Sequence, residues 1–471
     1  MIGPTDVTHS YITLPYRVAR IDGKYFVSVD HGGWALLDED QFRRLRSHTV
    51  YRDPDLFVRL RSAGIIATED DDPLEKMKKR FWYLQNGSSL HIVAVTNKCN
   101  FACKYCYANP SKPIDMSRET AEKVVDFIFQ TPAKALTIEF SGGEPLLNFE
   151  AIKTIVERAK KLGKRKNKEI AFAMIHNGSA WDEEKAEFFM KEQIGICFSL
   201  DGPRDLHNLH RVYHNGGGTY DDVVRWIKYF REAGYSHLNA IPVITRHSLP
   251  RGKEIVDEYM KWHFDSVRFK YLGYFGRARE FWNEIGYSPD EFVKAWKEVM
   301  EYIYSLYKRG FEIVEDMART MAAKLFNYQD PGFCELEMPC GAGLNQLAYS
   351  PDGGVYTCDE GRMFEEFRIG NVDMKWSEVM KSSVLKAMIL TSSGYFDRCD
   401  ACAFKPFCGL CPVESYSLEK NINSKIPLNR RCRIYRGMLT YLIRKSSRDE
   451  RFREMLISWA KSRKAGRTFY Y

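Results

Sequence analysis

The sequence lacks long apolar runs and a strong excess of charge of one sign. No stretch of its 471 residues approaches the roughly 20 consecutive apolar residues needed to span a bilayer. Residues 1–16 lack the basic start and apolar core of a signal peptide. The 70 basic and 62 acidic residues are spread along the chain, and no basic block is interleaved with aromatic residues. We therefore expect a cytoplasmic protein that binds neither a membrane nor nucleic acid.

Cysteine, by contrast, is frequent, with 12 residues in the chain. A reducing cytoplasm keeps thiols free of disulfides, so we expect metal or iron–sulfur ligation. Cys99, Cys103 and Cys106 are spaced C-x3-C-x2-C directly after the apolar run 90–95. A turn at the end of a strand would direct three thiolates at one centre, and three ligands leave one iron of a four-iron cluster open for chemistry. A zinc knuckle or three unrelated buried thiols are the alternatives.

Strand and helix patterns alternate between His91 and Gly273. Apolar runs predict six strands, at residues 90–96, 136–140, 170–175, 194–200, 238–245 and 266–272. Amphipathic stretches between them predict helices at residues 117–129, 149–162, 183–191, 220–233 and 252–262. Such alternation indicates a parallel sheet covered by helices. Six units predict an α/β fold with a partial (β/α)6 TIM-like barrel, whose chemistry lies in the loops after the strands.

Unusual residues follow the first four predicted strands. They are the cysteine triplet, Gly142-Gly143-Glu144-Pro145, His176-Asn177-Gly178 and Ser199-Leu200-Asp201-Gly202-Pro203. All four loops face the same end of a parallel barrel. The triplet with its aromatic residue before the last cysteine, the Gly-Gly-Glu-Pro run and the Ser-x-Asp-Gly-Pro run resemble the signature motifs of the radical S-adenosylmethionine (radical SAM) enzymes. The resemblance covers residues 88 to about 275, and it implies a 4Fe–4S cluster on the triplet whose open iron is chelated by S-adenosylmethionine.

The resemblance also implies a partner for each part of S-adenosylmethionine. The ammonium group needs acceptors, which the Gly143 carbonyl and Glu144 can supply, and glycine lets the backbone approach closely. The carboxylate needs a cation, and Arg211 offers a fork of donors. Ribose hydroxyls need polar partners, and an aromatic ring packs near the adenine. The expected cofactor contacts are Tyr105, Gly142, Gly143, Glu144, Asn177, Ser199 and Arg211.

The first 85 residues form a separate unit. Residues 16–21 and 25–29 alternate apolar and polar side chains around Asp22-Gly23, which predicts a β-hairpin. Two short helices are predicted at residues 37–45 and 54–63. This small α+β pattern resembles the winged-helix peptide-recognition domains attached to many peptide-modifying enzymes. A packing extension without a binding role is the alternative.

Eight further cysteines follow two predicted helices at residues 289–309 and 314–326. Two zinc ribbons would account for them. However, a hairpin turning at Asp352-Gly353 leads to Cys358, and the region resembles the SPASM domain, a module with two auxiliary 4Fe–4S clusters. The resemblance implies two sets of ligands: Cys334, Cys340, Cys358 and Cys411 for the first cluster, and Cys399, Cys402, Cys408 and Cys432 for the second. The family has three residues between the last two cysteines of the central run, whereas this chain has two, between Cys408 and Cys411.

Asp359 directly follows Cys358. A Cys-Asp pair at this place resembles anaerobic sulfatase-maturating enzymes, in which the Asp acts as a general base, so Asp359 is the candidate catalytic residue. An exposed Asp at a hairpin end is the alternative. Polar loop histidines are usually hydrogen-bonded rather than catalytic, which is our expectation for His176, His207 and His210. Cys197 lies inside an apolar strand and is expected to be a buried, inert thiol.

These patterns predict three domains: an N-terminal α+β unit at residues 1–85, a radical SAM partial barrel at 86–310, and linker helices with a SPASM domain at 311–471. The resemblance implies a maturase of a peptide or protein, with a layout most like ribosomal-peptide maturases such as those of His-Xaa-Ser systems. Sulfatase maturation, which converts Cys or Ser to formylglycine, is second. A non-catalytic iron–sulfur or zinc protein for electron transfer or scaffolding is the alternative of a different class. The enzyme would need a one-electron reductant such as flavodoxin or ferredoxin.

Overall fold

The computed structural model describes residues 11–108, 113–328, 330–394, 397–423 and 430–461. The N-terminal unit is a three-stranded antiparallel sheet with two helices and a short two-stranded ribbon. The predicted hairpin is confirmed, because Tyr16 pairs with Val29 and Ile21 with Lys24. Its elements are β1 Ile12–Thr13, β2 Tyr16–Ile21, β3 Lys24–Val29, β4 Trp34–Leu37, α1 Glu39–Arg46, α2 Pro54–Ser62 and β5 Ile66–Ala67. The helices α3 Pro73–Arg80 and α4 Tyr83–Asn86 lead into the next unit.

Strands and helices then alternate as predicted. The elements are β6 Leu90–Thr96, α5 Arg118–Ile128, β7 Ala135–Gly142, α6 Phe149–Lys166, β8 Glu169–His176, α7 Glu183–Lys191, β9 Gly195–Ser199, α8 Arg204–His210, α9 Tyr220–Glu232, β10 Leu238–Ile241, α10 Gly252–Lys261 and β11 Ser266–Val267. The strands β6 to β10 are parallel neighbours. All seven residues of β6 are buried. These strands form the core of the predicted partial barrel.

Local signals explain why these helices form where they do. Helix α5 begins after Ser117, whose hydroxyl accepts a hydrogen bond from Thr120 N at 3.0 Å. Its buried residues include Ala121, Val124, Val125 and Ile128, spaced so that one face packs on the sheet. The predicted fifth strand ends early, at Ile241, because Pro242 lacks the N–H group that a parallel ladder needs.

The sixth predicted strand is also shorter than expected. Only Ser266–Val267 is extended as a strand, and it pairs with β12 Val314–Glu315. A single parallel bridge between Val243 and Lys270 links it to the rest of the barrel. Arg268 and Lys270, which follow this short strand, line a cavity.

The C-terminal region extends the barrel sheet. Its elements are α11 Trp282–Ile285, α12 Pro289–Lys308, β12, α13 Asp316–Phe326, β13 Gln346–Tyr349, β14 Gly354–Tyr356, β15 Arg368–Asn371, α14 Trp376–Val379, α15 Ser383–Ser392, α16 Asp397–Asp400, α17 Pro412–Glu419, α18 Arg430–Ser446 and α19 Glu450–Lys461. Strand β13 pairs in parallel with β6, and β14 and β15 follow in antiparallel order. The result is one eight-stranded sheet, ordered β10-β9-β8-β7-β6-β13-β14-β15. None of the helices in the described part of the chain combines the length and apolarity that crossing a bilayer requires.

The N-terminal sheet has its own small core, but one face packs on the C-terminal region. Phe26 is fully buried and stacks on Phe404 at 5.4 Å between ring centroids. Ser28 Oγ donates to Ala403 O at 2.7 Å, and Trp34 Nε1 donates to Leu325 O at 2.7 Å. The predicted packing role is therefore present, while the peptide-recognition role and the domain limits at residues 85 and 310 stay predictions.

Replacing Phe26 with Ala should destabilise this contact. Removing a fully buried aromatic side chain leaves a cavity and costs about 3–5 kcal/mol. We expect the free energy of unfolding of Phe26→Ala to fall by that amount in anaerobic denaturant titrations. Val18→Ala, on the neighbouring strand and 36% exposed, is the matched control and should change it by less than about 1 kcal/mol. Equal values for both variants would contradict the packing role.

Candidate active site

The cysteine triplet lies in the loop after β6, and this loop is fixed by its backbone. Ala102 N donates to Val212 O at 2.8 Å. Arg277 holds the other side, because its backbone N donates to Cys106 O at 2.9 Å and its Nη1 to Cys103 O at 3.0 Å. Cys103 is buried, whereas Cys99 and Cys106 are partly exposed. The loop therefore presents three thiols with their backbone already positioned.

Gly142 and Gly143 pack the next loop against the cysteine loop. Gly142 has φ +131°, and a Cβ there would lie 2.1 Å from Thr96 O. A Cβ on Gly143 would lie 2.1 Å from Lys98 O. Gly143 N donates to Thr96 O at 3.0 Å and the following residue donates to Lys98 O at 2.8 Å. Only glycine permits this approach, so both residues support the cysteine loop in addition to facing the predicted cofactor site.

A cavity of about 300 Å³ opens beside the triplet. All three thiol residues line it, and so do six of the seven predicted cofactor contacts: Tyr105, Gly142, Gly143, Asn177, Ser199 and Arg211. The structure therefore brings these residues together as the motifs predict. Their contacts with S-adenosylmethionine stay predictions.

Glu144 is the exception, because it does not line the cavity. Its side chain is fully buried, and burial raises its pKa to about 7. One carboxylate oxygen accepts from Leu146 N at 3.1 Å and the other from Asn177 N at 2.7 Å. The structure thus gives Glu144 a task that the sequence did not indicate, which is to tie the second loop to the third.

Asp201 positions Arg211, the cation predicted to bind the carboxylate of the cofactor. Arg211 Nε is 3.0 Å from Asp201 Oδ2, and both side chains are buried. Tyr105 OH donates to the same carboxylate oxygen, and Val243 N donates to Oδ1 at 2.9 Å. The Arg211 guanidinium also lies 5.1 Å from the Tyr105 ring centroid. Asp201 therefore positions two of the predicted contacts, a role for which its place in the Ser-x-Asp-Gly-Pro motif was the available signal.

The chemistry of the donor set fits an iron–sulfur cluster. Burial raises the pKa of Cys99 to about 11 and that of Cys103 to about 12. Thiolates in this environment need a cationic partner, which iron supplies.

The eight C-terminal cysteines form the two predicted groups of four. Cys334, Cys340, Cys358 and Cys411 share one apolar cluster, in which the Sγ atoms of Cys334 and Cys340 are 3.7 Å apart. In the second group, burial, together with nearby Cys402 and Cys432, raises the pKa of Cys399 to about 12. Burial likewise raises the pKa of Cys408, with contributions from Cys432, Cys402 and Cys399. The grouping is as predicted, and ligation itself stays a prediction.

Asp359 lies in the cavity wall rather than on an exposed hairpin end. Tyr107 OH donates to its Oδ2, and Arg362 Nη2 donates to its Oδ1 at 3.0 Å. Tyr107 follows Cys106 and Asp359 follows Cys358, so one hydrogen bond joins the triplet loop to the SPASM region. Sequence reasoning missed Tyr107, although its place beside the triplet was a usable signal.

The sequence analysis also missed a set of charged residues on the SPASM side of the cavity. Lys270 Nζ lies 3.3 Å from Glu335 Oε1 and 3.8 Å from Glu360 Oε1. Arg431 Nε lies 2.7 Å from Glu414 Oε2. Basic residues at alternate positions of an apolar strand, Arg268 and Lys270, were the signal available. Every cation named here has a carboxylate partner within 4 Å.

The three histidines and Cys197 behave largely as expected. His207 lies between Asp201 N and Thr219 Oγ1, and His210 contacts His247. His176 lines the cavity, its Nδ1 accepts from Gly178 N at 3.0 Å, and burial lowers its pKa to about 3. These rings are therefore hydrogen-bonded and neutral near pH 7. Cys197 is fully buried, and burial raises its pKa.

Two family models match the chain. Residues 93–258 match the Radical SAM superfamily, and residues 340–403 match the iron–sulfur cluster-binding SPASM domain. Among curated proteins, the chain is 26% identical over 376 residues to a cysteine-type anaerobic sulfatase-maturating enzyme of Clostridium perfringens, covering 75% of this chain and 95% of that protein. A serine-type enzyme of Bacteroides thetaiotaomicron is 25% identical, covering 72% and 85%.

Solved structures share the fold. The structure titled native anSMEcpe with bound AdoMet has a TM-score of 0.67 at 22% identity and covers 79% of this chain and 99% of that chain. Streptococcus suis SuiB bound to precursor peptide SuiA has a TM-score of 0.53 at 13% identity, covering 87% and 98%. The predicted partial barrel and SPASM domain are thereby confirmed. The chain therefore contains a radical SAM domain and a SPASM domain, and these two domains support S-adenosylmethionine and 4Fe–4S clusters as its cofactors.

Proposed function

We propose that the chain is a radical SAM maturase that modifies a peptide or protein. The observation that carries this proposal is that one cavity is lined both by the cysteine triplet and by Cys334 and Asp359. Substrate held there would contact the cofactor site and the first SPASM group together. Cys99, Cys103 and Cys106 are assigned to the cluster that binds S-adenosylmethionine.

When bound, the cluster and S-adenosylmethionine supply a 5′-deoxyadenosyl radical that takes a hydrogen atom from a substrate carbon. The chain positions the reactants. Arg211, held by Asp201, is assigned to the cofactor carboxylate, and Asn177 and Ser199 to the ribose. Tyr105 is buried and fixed through its hydroxyl, so its ring presents a rigid face. Such fixed partners lower the reorganisation needed during reaction.

We assign the SPASM side of the cavity to accept the electron and the proton that the substrate loses. Cys334 lines the cavity, so the first group of four cysteines lies beside the bound substrate. Asp359 lines the same cavity and is the candidate base for the proton. Arg362 and Tyr107 hold its two oxygens from different directions. A base that is fixed in this way needs little reorientation when a proton is released.

Sulfatase maturation is the second candidate. It is supported by the two curated relatives, whose matches span most of this chain. The first candidate is supported by the likeness to SuiB bound to precursor peptide SuiA, whose fold covers 87% of this chain, whereas the anSMEcpe fold covers 79%. The two candidate functions act on different substrates, so deuterated peptides can distinguish them directly. Deuterium from a short peptide encoded beside the gene should appear in 5′-deoxyadenosine, whereas transfer only from a Cys- or Ser-containing sulfatase peptide would favour the second candidate.

Replacing Cys99, Cys103 or Cys106 with Ala should abolish cleavage of S-adenosylmethionine. Loss of one of three ligands removes the open cluster, so iron should fall from about 12 to about 8 atoms per chain, while the auxiliary cluster signals survive in electron paramagnetic resonance. Cys197→Ala is the matched control and should retain both. If wild-type protein loads iron fully, is given dithionite and candidate peptides, and still forms no 5′-deoxyadenosine, the enzyme proposal is wrong.

Gly143→Ala should weaken the same cluster without removing a ligand. The added Cβ would lie 2.1 Å from Lys98 O, so the backbone of the cysteine loop must move. We expect iron content to fall toward about 8 atoms per chain and cleavage of S-adenosylmethionine to fall at least about tenfold. Gly217→Ala is the control, since its nearest contact is the Asn215 side chain at 3.2 Å. Unchanged iron content in Gly143→Ala would refute the supporting role of this glycine.

Asp359→Asn should separate cofactor cleavage from substrate modification. An amide cannot take the proton that the carboxylate is assigned to accept, so modified peptide should fall about 10²–10⁴-fold. Reductive cleavage should change less than about twofold, because the triplet and its loop are unaltered. Both products are measured by mass spectrometry. Asp373→Asn, exposed and paired with Lys123 at 3.0 Å, is the control; normal product formation by Asp359→Asn would remove this residue from catalysis.

A further inference from the structure

Residues 274–286 form a segment that rests directly on the cysteine loop. Arg277 donates from its backbone N to Cys106 O and from Nη1 to Cys103 O, at 2.9 and 3.0 Å. Gly276 has φ +49°, and a Cβ there would lie 2.5 Å from the carbonyl oxygens of Cys106 and Tyr107. Among the described elements, this segment thus lies between part of the triplet loop and the protein surface.

The outer side of this segment carries an excess of positive charge. Arg279 and Arg246 are exposed, and Arg246 is fixed by donating to Gly286 O at 2.7 Å. Arg277 and Lys104 are partly exposed. The carboxylates beside them are Glu284, which pairs with Lys104 at 2.5 Å, the exposed Glu280, and the exposed Glu291, which lies within electrostatic reach of Arg246. Four cations therefore face three carboxylates.

Aromatic rings are interleaved with these cations. Tyr274, Phe281 and Trp282 are all partly exposed, and the Tyr274 and Trp282 ring centroids are 5.0 Å apart. Arg279 lies 5.7 Å from the Tyr274 ring centroid, and Arg430 lies 4.2 Å from that of Trp282. Arginine, tryptophan and tyrosine are the residues most enriched at the energetic centres of protein–protein interfaces. We call residues 274–286 with Lys104 and Arg246 the arginine–aromatic surface.

We propose that the arginine–aromatic surface is the docking site of a small acidic one-electron carrier protein. The inference rests on the proposed function, because the triplet needs an electron before S-adenosylmethionine can be cleaved. The surface touches the backbone of two triplet cysteines, so a docked carrier would be separated from them by one layer of chain. The positive charge of this surface complements an acidic partner and would speed the association of the two proteins. A single short segment suits the small interfaces of transient electron-transfer complexes.

The electron balance is simple. The carrier loses one electron, the centre held by Cys99, Cys103 and Cys106 gains it, and no bond forms or breaks in the docking step. Flavodoxin kept reduced by NADPH and its reductase is a suitable acidic probe. Dithionite is a small chemical reductant that needs no docking surface. Comparing the two donors on the same holoenzyme separates docking from all later steps.

The test uses the charge reversal Arg279→Glu. We expect flavodoxin-driven formation of 5′-deoxyadenosine to fall about tenfold and dithionite-driven formation to change less than about twofold. Surface plasmon resonance with oxidised flavodoxin gives a readout independent of activity, and the affinity should fall by a similar factor. Raising NaCl from about 50 to about 300 mM should weaken wild-type binding and leave the dithionite rate unchanged.

The matched control is Lys164→Glu, an exposed cation at the end of α6 and distant in sequence from the triplet loop. It should leave flavodoxin binding and both rates unchanged. Equal losses for the two variants, an unchanged flavodoxin affinity in Arg279→Glu, or a loss with dithionite as large as with flavodoxin would each overturn the docking proposal. Absence of dithionite-driven cleavage in the wild type would instead overturn the proposed function.

Discussion

The parallel pairing of β6 with β13 is the interaction on which the site depends. Gln346 pairs with Leu90 and Tyr349 with Val93, so the SPASM hairpin continues the barrel sheet. Each such backbone bond contributes only about 1 kcal/mol, but leaving these buried groups unpaired would cost more. Strand β14 runs back antiparallel to β13, and the chain after it passes through Cys358 and places Asp359 in the cavity wall. A second cysteine centre thereby reaches the cavity that the triplet occupies.

Charge pairing is the second constraint, because the cavity contains many ionised groups in a poorly solvated place. The buried pairs Arg211–Asp201 and Arg431–Glu414 have side chains at most 8% exposed. Such pairs roughly offset their own desolvation and add little net stability. Their effect is on geometry, since breaking one partner would leave an uncompensated buried charge. These pairs therefore hold charged groups of the cavity wall in fixed positions before any ligand enters, which would suit the proposed radical reaction.

Local sequence patterns predicted most helices and strands of the barrel. They could not predict which strands pair across long sequence separations. Helix α7 and strand β6 occupy the predicted residues, because periodicity and capping act within a few positions. The grouping of the eight cysteines also matched, since it came with a recognised motif order. The β6–β13 pairing joins segments about 256 residues apart and leaves no local signature. The burial of Glu144 depends on contacts with Asn177, on another loop, so its place outside the cavity could not be read from its motif.

The size of the cavity limits what can select the substrate. About 300 Å³ is at the small end for ligand sites. Under the proposed function, S-adenosylmethionine would occupy part of that volume. A folded domain cannot enter, so an extended segment would present one side chain or backbone carbon past the partly exposed wall residues Tyr107, Lys270, Asp359 and Glu360. One residue offers too few contacts to distinguish one protein chain from another. Under the proposed function, selection would therefore depend on surfaces outside the cavity. The N-terminal unit, which has its own core and packs one face on the SPASM region, is placed to contribute such a surface.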